Sequence, residues 1–257
     1  MTYSVFKLLR KVFPWFIRYY NRLEVKGINN LPKIGSAIIA ANHSGGLDLD
    51  NFCLMSALEY LKTNNIKRKR IWLCYHDVWA SNDNMWGKFV RQFSPIPISL
   101  TGGGIPYNLV DKIVNKGEII AIMPEGCSAS LKDGYLLWKF YPGVIKLHLR
   151  YKIPIIPTAM IGFMNAAPRY PSDYRPEKIP PWESERMIPF IFPRKLIIHF
   201  GKSISFKDYF NVNLDKKVEK KTMYKLARIV RKKVKETINI YRTNISKNNP
   251  LGDIKGK

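Results

Sequence analysis

The chain has 257 residues and a mass of 29.9 kDa, a length that fits one domain with short extensions. Its residues are 46% hydrophobic and 24% charged, which excludes wholesale disorder. A formal net charge of +24 indicates an anionic partner, and most of the excess lies at the two ends of the chain, in residues 1–35 and 194–257.

Residues 3–22 form the first predicted element, an amphipathic helix. Its basic residues Lys7, Lys11, Arg18 and Arg22 recur at intervals that place them on one face, and large apolar residues fill most of the remainder. This pattern is typical of a helix lying in a membrane surface, although packing on the protein core explains it equally well. Because Pro14 lacks an amide hydrogen, we expect two short helices rather than one.

Strands and helices then alternate along the chain. Strands are predicted at 36–41, 71–74, 96–98, 118–123, 155–161 and 196–200, and helices at 48–61, 85–92, 107–116, 144–151 and 214–241. The alternation predicts an α/β fold with a mixed, largely parallel central sheet and helices on both faces. Prolines between 165 and 193 predict an irregular excursion there. We therefore assign three segments: a membrane-surface segment (1–22), a main domain (23–210), and a basic C-terminal helix and tail (211–257).

The stretch from Asn42 to Asp48 is the first candidate for chemistry. It follows a buried strand and reads NHSGGLD, with His43 and Asp48 separated by a turn that contains two glycines. Such a turn can bring the imidazole and the carboxylate together, and a carboxylate on one ring nitrogen leaves the other free to accept a proton. Asp48 is also a natural helix N-cap, so the spacing alone does not decide its role. The other histidines, at 76, 148 and 199, lack this arrangement and are interpreted as structural.

The second candidate is Pro124, Glu125, Gly126 and Cys127, directly after another predicted strand. Ligands collect beyond the carboxyl ends of strands in open α/β sheets, so this segment and His43 are expected to face one cleft. Glu125 offers a carboxylate to substrate hydroxyl groups, and Gly126 allows close approach of the backbone. No base adjoins Cys127, which argues against a nucleophilic thiol.

Together these segments resemble the sequence blocks of a known protein family. NHSGGLD, MPEGC and IPIIPTAMIG are similar, in order and separation, to three sequence blocks of the glycerolipid (lysophospholipid) acyltransferase family, over about residues 23–167. Within that family the chain looks closest to the subgroup compared with monoacylglycerol acyltransferases. The resemblance implies acyl transfer from acyl-CoA or acyl-carrier protein to a lipid hydroxyl, with no metal and no tightly bound cofactor. It makes His43 the general base, Asp48 its partner, and residues 124–127 part of the acceptor site.

Two departures bear on the acceptor. Many family members that use phosphate-bearing acceptors have Arg where this chain has Ser128, and another where it has Ser99 and Leu100. Arg binds phosphate with two parallel hydrogen bonds, so a lysophosphatidate acceptor requires a substitute such as Lys132, Lys139 or Arg91. Monoacylglycerol, another lysolipid or a specialised alcohol stays open.

Location and alternative functions follow from the rest of the sequence. Three cysteines without a CxxC pair indicate neither a disulfide framework nor a thiolate zinc site. With no signal peptide and no long apolar run, we expect a cytoplasmic protein attached peripherally to an anionic membrane. A catalytically silent lipid-binding relative is the main alternative. Nucleic-acid binding is suggested only by the net charge and the Lys-rich C-terminal helix, and no zinc-finger spacing or RNP-like aromatic block supports it.

Overall fold

The structure is a computed structural model and describes residues 2–60, 70–81, 83–93, 95–99, 104–170, 188–210 and 220–255. The helices are α1 (Thr2–Tyr20), α2 (Leu49–Met55), α3 (Asp77–Ala80), α4 (Met85–Val90), α5 (Tyr107–Asn115), α6 (Gly143–Tyr151), α7 (Phe163–Ala166) and α8 (Lys220–Ile238). The strands are β1 (Glu24–Lys26), β2 (Ala37–Ala41), β3 (Ile71–His76), β4 (Pro95–Ile98), β5 (Ile119–Ile122), β6 (Ile155–Ile161), β7 (Ile197–Phe200), β8 (Arg242–Thr243) and β9 (Asp253–Ile254).

Seven of the described strands form one sheet in the order β1-β7-β6-β2-β5-β3-β4. Every neighbouring pair is parallel except β6 and β7, which are antiparallel. The predicted mixed, largely parallel sheet is therefore confirmed. Because β2, β5 and β6 are parallel neighbours, their carboxyl ends meet at one edge of the sheet.

The two faces of the sheet carry separate apolar layers, as the alternation along β2 illustrates. Ile39 points into the layer formed with α1, α2 and α4, whereas Ile38 points into the layer formed with α5, α6 and α8. The predicted apolar stripe of the last helix, represented by Val230 and Val234, is fully buried in this second layer. Helices on both faces are thus confirmed.

The prediction of two short helices at the N-terminus is wrong, because α1 continues through Pro14. Phe6 and Ile17 are buried on the same side of the helix, one before and one after the proline. Phe13 also packs edge-on against Phe52 with ring centroids 5.9 Å apart. These contacts offset the one hydrogen bond that the proline cannot make. Among the described helices, none combines the length and the apolar character needed to cross a bilayer.

Other predicted boundaries shift or fall outside the described residues. The helix predicted at 48–61 is α2 followed by a 3-10 turn at Ala57–Tyr60, and residue 61 is outside the described ranges. The start predicted for the last helix, at 214, and most of the proline-rich excursion, at 171–187, are also outside them. The division into three segments stays a prediction.

Candidate active site

The two candidate segments meet at the carboxyl edge of the sheet. His43 follows β2 and Glu125 follows β5, the strand paired with it. The backbone N–H of His43 donates a hydrogen bond of 3.0 Å to Glu125 Oε1, and the amide of Ala129 donates to the carbonyl of His43 at 2.9 Å. The structure therefore brings together the residues that were expected to face one cleft.

The turn after β2 is held on several sides. The Asn42 side chain donates to the carbonyl of Met160 and accepts from its amide, which extends the pairing of β2 with β6 by one residue. Gly45 has φ of 97°, and a Cβ atom there would lie 2.9 Å from the carbonyl oxygen of Phe163. Only glycine fits this position without a shift in the backbone.

The predicted contact between His43 and Asp48 is wrong, because a different carboxylate occupies the place. His43 Nδ1 lies 2.7 Å from Oδ2 of Asp50, which is fully buried. Leu47 and Asp48 both adopt left-handed backbone conformations, with φ of 56° and 50°. They turn the chain so that the first turn of α2, rather than the residue before the helix, faces the imidazole.

Asp48 is bound elsewhere. Its Oδ1 accepts from the Asn51 side-chain amide at 2.9 Å, and its Oδ2 accepts from the Tyr75 hydroxyl at 2.5 Å. It lies at the N-cap position of α2 but makes no side-chain capping bond. Burial raises the pKa of Asp48, and the Tyr75 hydrogen bond opposes that change.

The electrostatics around His43 favour its protonated form. Burial by itself lowers the pKa of His43, but the charge and hydrogen bond of Asp50, with the charge of Asp48, raise it above its ordinary value. The His43 side chain remains 17% exposed. The described residues provide no hydrogen-bond partner for Nε2. The ring is therefore fixed at Nδ1 and still accessible to another molecule.

Glu125 connects the two segments from a buried position. It is 2% exposed, and its Oε2 accepts from the amide of Trp138 at 2.7 Å. Burial raises its pKa to about 7, although the backbone bonds from His43 and Trp138 act in the opposite direction. Both carboxylate oxygens thus hold backbone groups. Contact between Glu125 and a substrate hydroxyl stays a prediction.

The rest of the second segment forms the turn around Glu125. The carbonyl of Pro124 accepts from the amide of Tyr141 at 2.7 Å. Gly126 is exposed and has φ of 75°. The thiol of Cys127 is buried and lies 3.8 Å from the carbonyl oxygen of Glu125. Substrate contacts of these three residues also stay predictions.

Two residues of the site were not found by sequence reasoning. The sequence contains a signal for Asp50, a second Asp seven positions after His43, but the spacing of the family block matches the nearer Asp48. Arg169 is 3% exposed, and its guanidinium donates to the carbonyl of Ser128. Its charge also lowers the pKa of His43. Arg169 comes from the segment after α7, and no local pattern marks it.

The remaining candidates have ordinary surroundings. His148 Nδ1 lies 2.7 Å from the carbonyl of Ile153, and its Nε2 accepts from the amide of Phe206, as expected of a structural histidine. Of the proposed phosphate-binding substitutes, Lys139 lies over the Tyr224 ring at 4.5 Å and Arg91 pairs with Asp83. Within the described ranges, no group of three His, Cys, Asp or Glu side chains is arranged to hold a metal ion.

The chain is similar in sequence to a protein family and to several bacterial proteins. A family model described as Acyltransferase matches residues 22–161, more than half of the chain. An uncharacterized protein of Mycobacterium tuberculosis is 24% identical over 245 residues, which cover 90% of this chain and 64% of that protein. An uncharacterized protein of Mycobacterium leprae is 27% identical over 159 residues, or 60% of this chain and 40% of the other. The chain thus spans less than two thirds of the length of these curated relatives.

One solved structure is also similar. It is the crystal structure of the 1-acyl-sn-glycerophosphate (LPA) acyltransferase PlsC from Thermotoga maritima. The TM-score is 0.49 and the sequence identity 14%, over 90% of this chain and 78% of that one.

Proposed function

Because this chain belongs to the acyltransferase family, we propose that it transfers a fatty acyl group from an acyl thioester to a hydroxyl group of a glycerolipid or lysophospholipid. The observation that carries the proposal is the imidazole of His43. Its Nδ1 is fixed by a buried carboxylate, while its ring remains accessible at the carboxyl edge of the sheet. A general base for a hydroxyl acceptor requires this combination.

His43 acts in the proposed reaction through Nε2. An ionised carboxylate accepts hydrogen bonds and cannot donate them, so the imidazole proton resides on Nδ1 and the lone pair on Nε2. Nε2 removes the proton of the acceptor hydroxyl as the hydroxyl oxygen attacks the thioester carbonyl carbon. The new C–O bond forms, the C–S bond breaks, and the departing thiolate takes the proton from Nε2. The carboxylate that is hydrogen-bonded to Nδ1 stabilises the imidazolium between these steps.

The acyl donor is proposed to be acyl-CoA or acyl-carrier protein. Both are acidic, and a chain with a net charge of +24 attracts acidic molecules over some distance. The acceptor is left at the level of a lipid hydroxyl. Ser128 supplies no cation, but the buried guanidinium of Arg169 contacts its carbonyl group, which keeps both neutral and anionic acceptors within the proposal.

Acyl transfer from labelled long-chain acyl-CoA to lysophosphatidate, lysophospholipids and monoacylglycerol tests the proposal. Acyl-carrier protein replaces CoA in a parallel series. We expect product with at least one combination of acyl donor and acceptor. In His43→Ala the rate of acyl transfer should fall at least about 100-fold, the usual contribution of a general base. His199→Ala is the matched control, because His199 lies within β7 and pairs with Ala159 inside the sheet. If the wild-type protein forms no product with either donor, the result would favour a lipid-binding relative without activity.

We also propose that α1 docks on an anionic membrane surface. Large apolar side chains of this helix are about half exposed or more: Val5, Leu8, Leu9, Val12, Trp15, Phe16 and Tyr19. At about 100° per residue they occupy an arc of about 120° on the side away from Phe6 and Ile17. Lys7, Lys11 and Arg18 lie along one border of that arc. An apolar face bordered by cations fits a helix lying in the headgroup region.

Co-sedimentation with phosphatidylcholine vesicles, with and without phosphatidylglycerol, tests the docking face. Leu8→Glu with Trp15→Glu places two charges on the face, so binding to the anionic vesicles should weaken. Ile229→Glu with Ile240→Glu is the matched control, since both isoleucines are exposed outside α1. Equal binding by both double variants and the wild type would contradict the docking of α1.

A further inference from the structure

We propose that Asp50, and not Asp48, is the positioning residue of His43, and that Asp48 instead secures the turn to β3 through Tyr75. The inference deepens the proposed function, on which its kinetic consequences rest. The arrangement of side chains that supports it is independent of any reaction.

The contacts of Asp50 fix its position. Its Oδ2 bonds His43 Nδ1 at 2.7 Å and accepts from the Ser44 amide at 2.7 Å. Its Oδ1 accepts from the Asn51 amide at 2.9 Å. All three groups can donate to the carboxylate, which is fully buried, so they hold it in one orientation. A carboxylate held in this way determines the tautomer and the orientation of the imidazole.

The contacts of Asp48 direct it away from the ring. Its Oδ1 and Oδ2 are engaged by Asn51 and by Tyr75, a buried residue of β3. Asp48 is near enough for its charge to raise the pKa of His43, but it makes no hydrogen bond to the imidazole. It therefore influences the charge of the ring without orienting it, and its main effect is to join the start of α2 to β3.

The two positions can be compared with a matched pair of substitutions, Asp50→Asn and Asp48→Asn. Each keeps the size of the side chain and removes its charge. In Asp50→Asn, kcat should fall by about 100-fold or more while KM changes little, because the tautomer is no longer fixed. In Asp48→Asn, kcat should remain within about tenfold of the wild type. A larger loss in Asp48→Asn than in Asp50→Asn would overturn the assignment.

The pH profile separates positioning from a general loss of structure. The acidic limb of kcat/KM reports the pKa of His43, which must be neutral to act as a base. Removing the Asp50 carboxylate lowers that pKa, so the limb should move to lower pH by about one unit or more. The displacement in Asp48→Asn should be smaller. An unmoved limb in Asp50→Asn would contradict the proposal even if kcat fell.

Nitrogen-15 NMR of histidine-labelled protein gives a result that needs no activity. The wild type should show a low-field Nδ1 proton for His43, assigned by its absence from His43→Ala. This resonance should persist in Asp48→Asn and disappear in Asp50→Asn. If Asp50→Asn does not fold, Asp48→Asn still decides, because loss of the resonance there would overturn the proposal. If the wild type transfers no acyl group, the proposed function fails while the NMR result still decides which carboxylate holds His43.

Discussion

Glu125 gives a stability prediction that follows directly from its burial. Its pKa is raised from 4.5 to about 7, so between these pH values the folded protein retains a proton that the unfolded chain has lost. The stabilisation from this proton is fully present below the lower pKa and is lost as the pH rises through the higher one. Each unit of difference corresponds to about 1.4 kcal/mol, which makes the total loss on the order of 3 kcal/mol.

Glu125→Gln removes the titration and resembles the protonated carboxyl group in shape. Urea unfolding followed by tryptophan fluorescence at a series of pH values from below 4.5 to above 7 measures the free energy of unfolding of both proteins. The free energy of unfolding of the variant minus that of the wild type should increase by about 3 kcal/mol from the lowest to the highest pH. Glu236→Gln is the control, because Lys233 lowers the pKa of the exposed Glu236, a change opposite in direction to that of Glu125. If the difference between Glu125→Gln and the wild type stays constant within about 0.5 kcal/mol, burial of Glu125 does not have the effect argued here.

Two further outcomes are expected at the same edge of the sheet. Arg169→Gln removes a cation that lowers the pKa of His43, so the acidic limb of kcat/KM should move to higher pH; an unchanged profile would show that the two side chains are not coupled. Gly45→Ala should destabilise the protein by at least about 1 kcal/mol more than Gly35→Ala in urea unfolding. Both glycines have positive φ, but only a Cβ at Gly45 meets a neighbour, the carbonyl of Phe163. Equal losses would mean that this contact does not restrict the position.

Much of the fold could be predicted because its cause is visible locally. The apolar run from Ile155 to Ile161 is buried along its whole length as β6, as a central strand covered on both sides must be. The helical spacing of Val230 and Val234 likewise indicated the buried side of α8. Pro14 shows the limit of such reasoning. Its effect on α1 depends on contacts between Phe13 and the distant residue Phe52, which no local pattern contains.

Only part of the candidate site could be predicted, because one contact depends on strand direction and another on the backbone of a turn. The meeting of His43 with Glu125 follows from strand direction alone, since each lies beyond the carboxyl end of a parallel strand. The partner of His43 depends on where α2 begins. Residues two positions apart on a helix point about 200° apart, so Asp48 and Asp50 are not expected to face the same group. Which of them faces His43 is decided by left-handed φ values at Leu47 and Asp48, a conformation that is uncommon for residues other than glycine. Sequence spacing can therefore identify the imidazole as a candidate base, whereas assigning its carboxylate requires the backbone geometry of the turn.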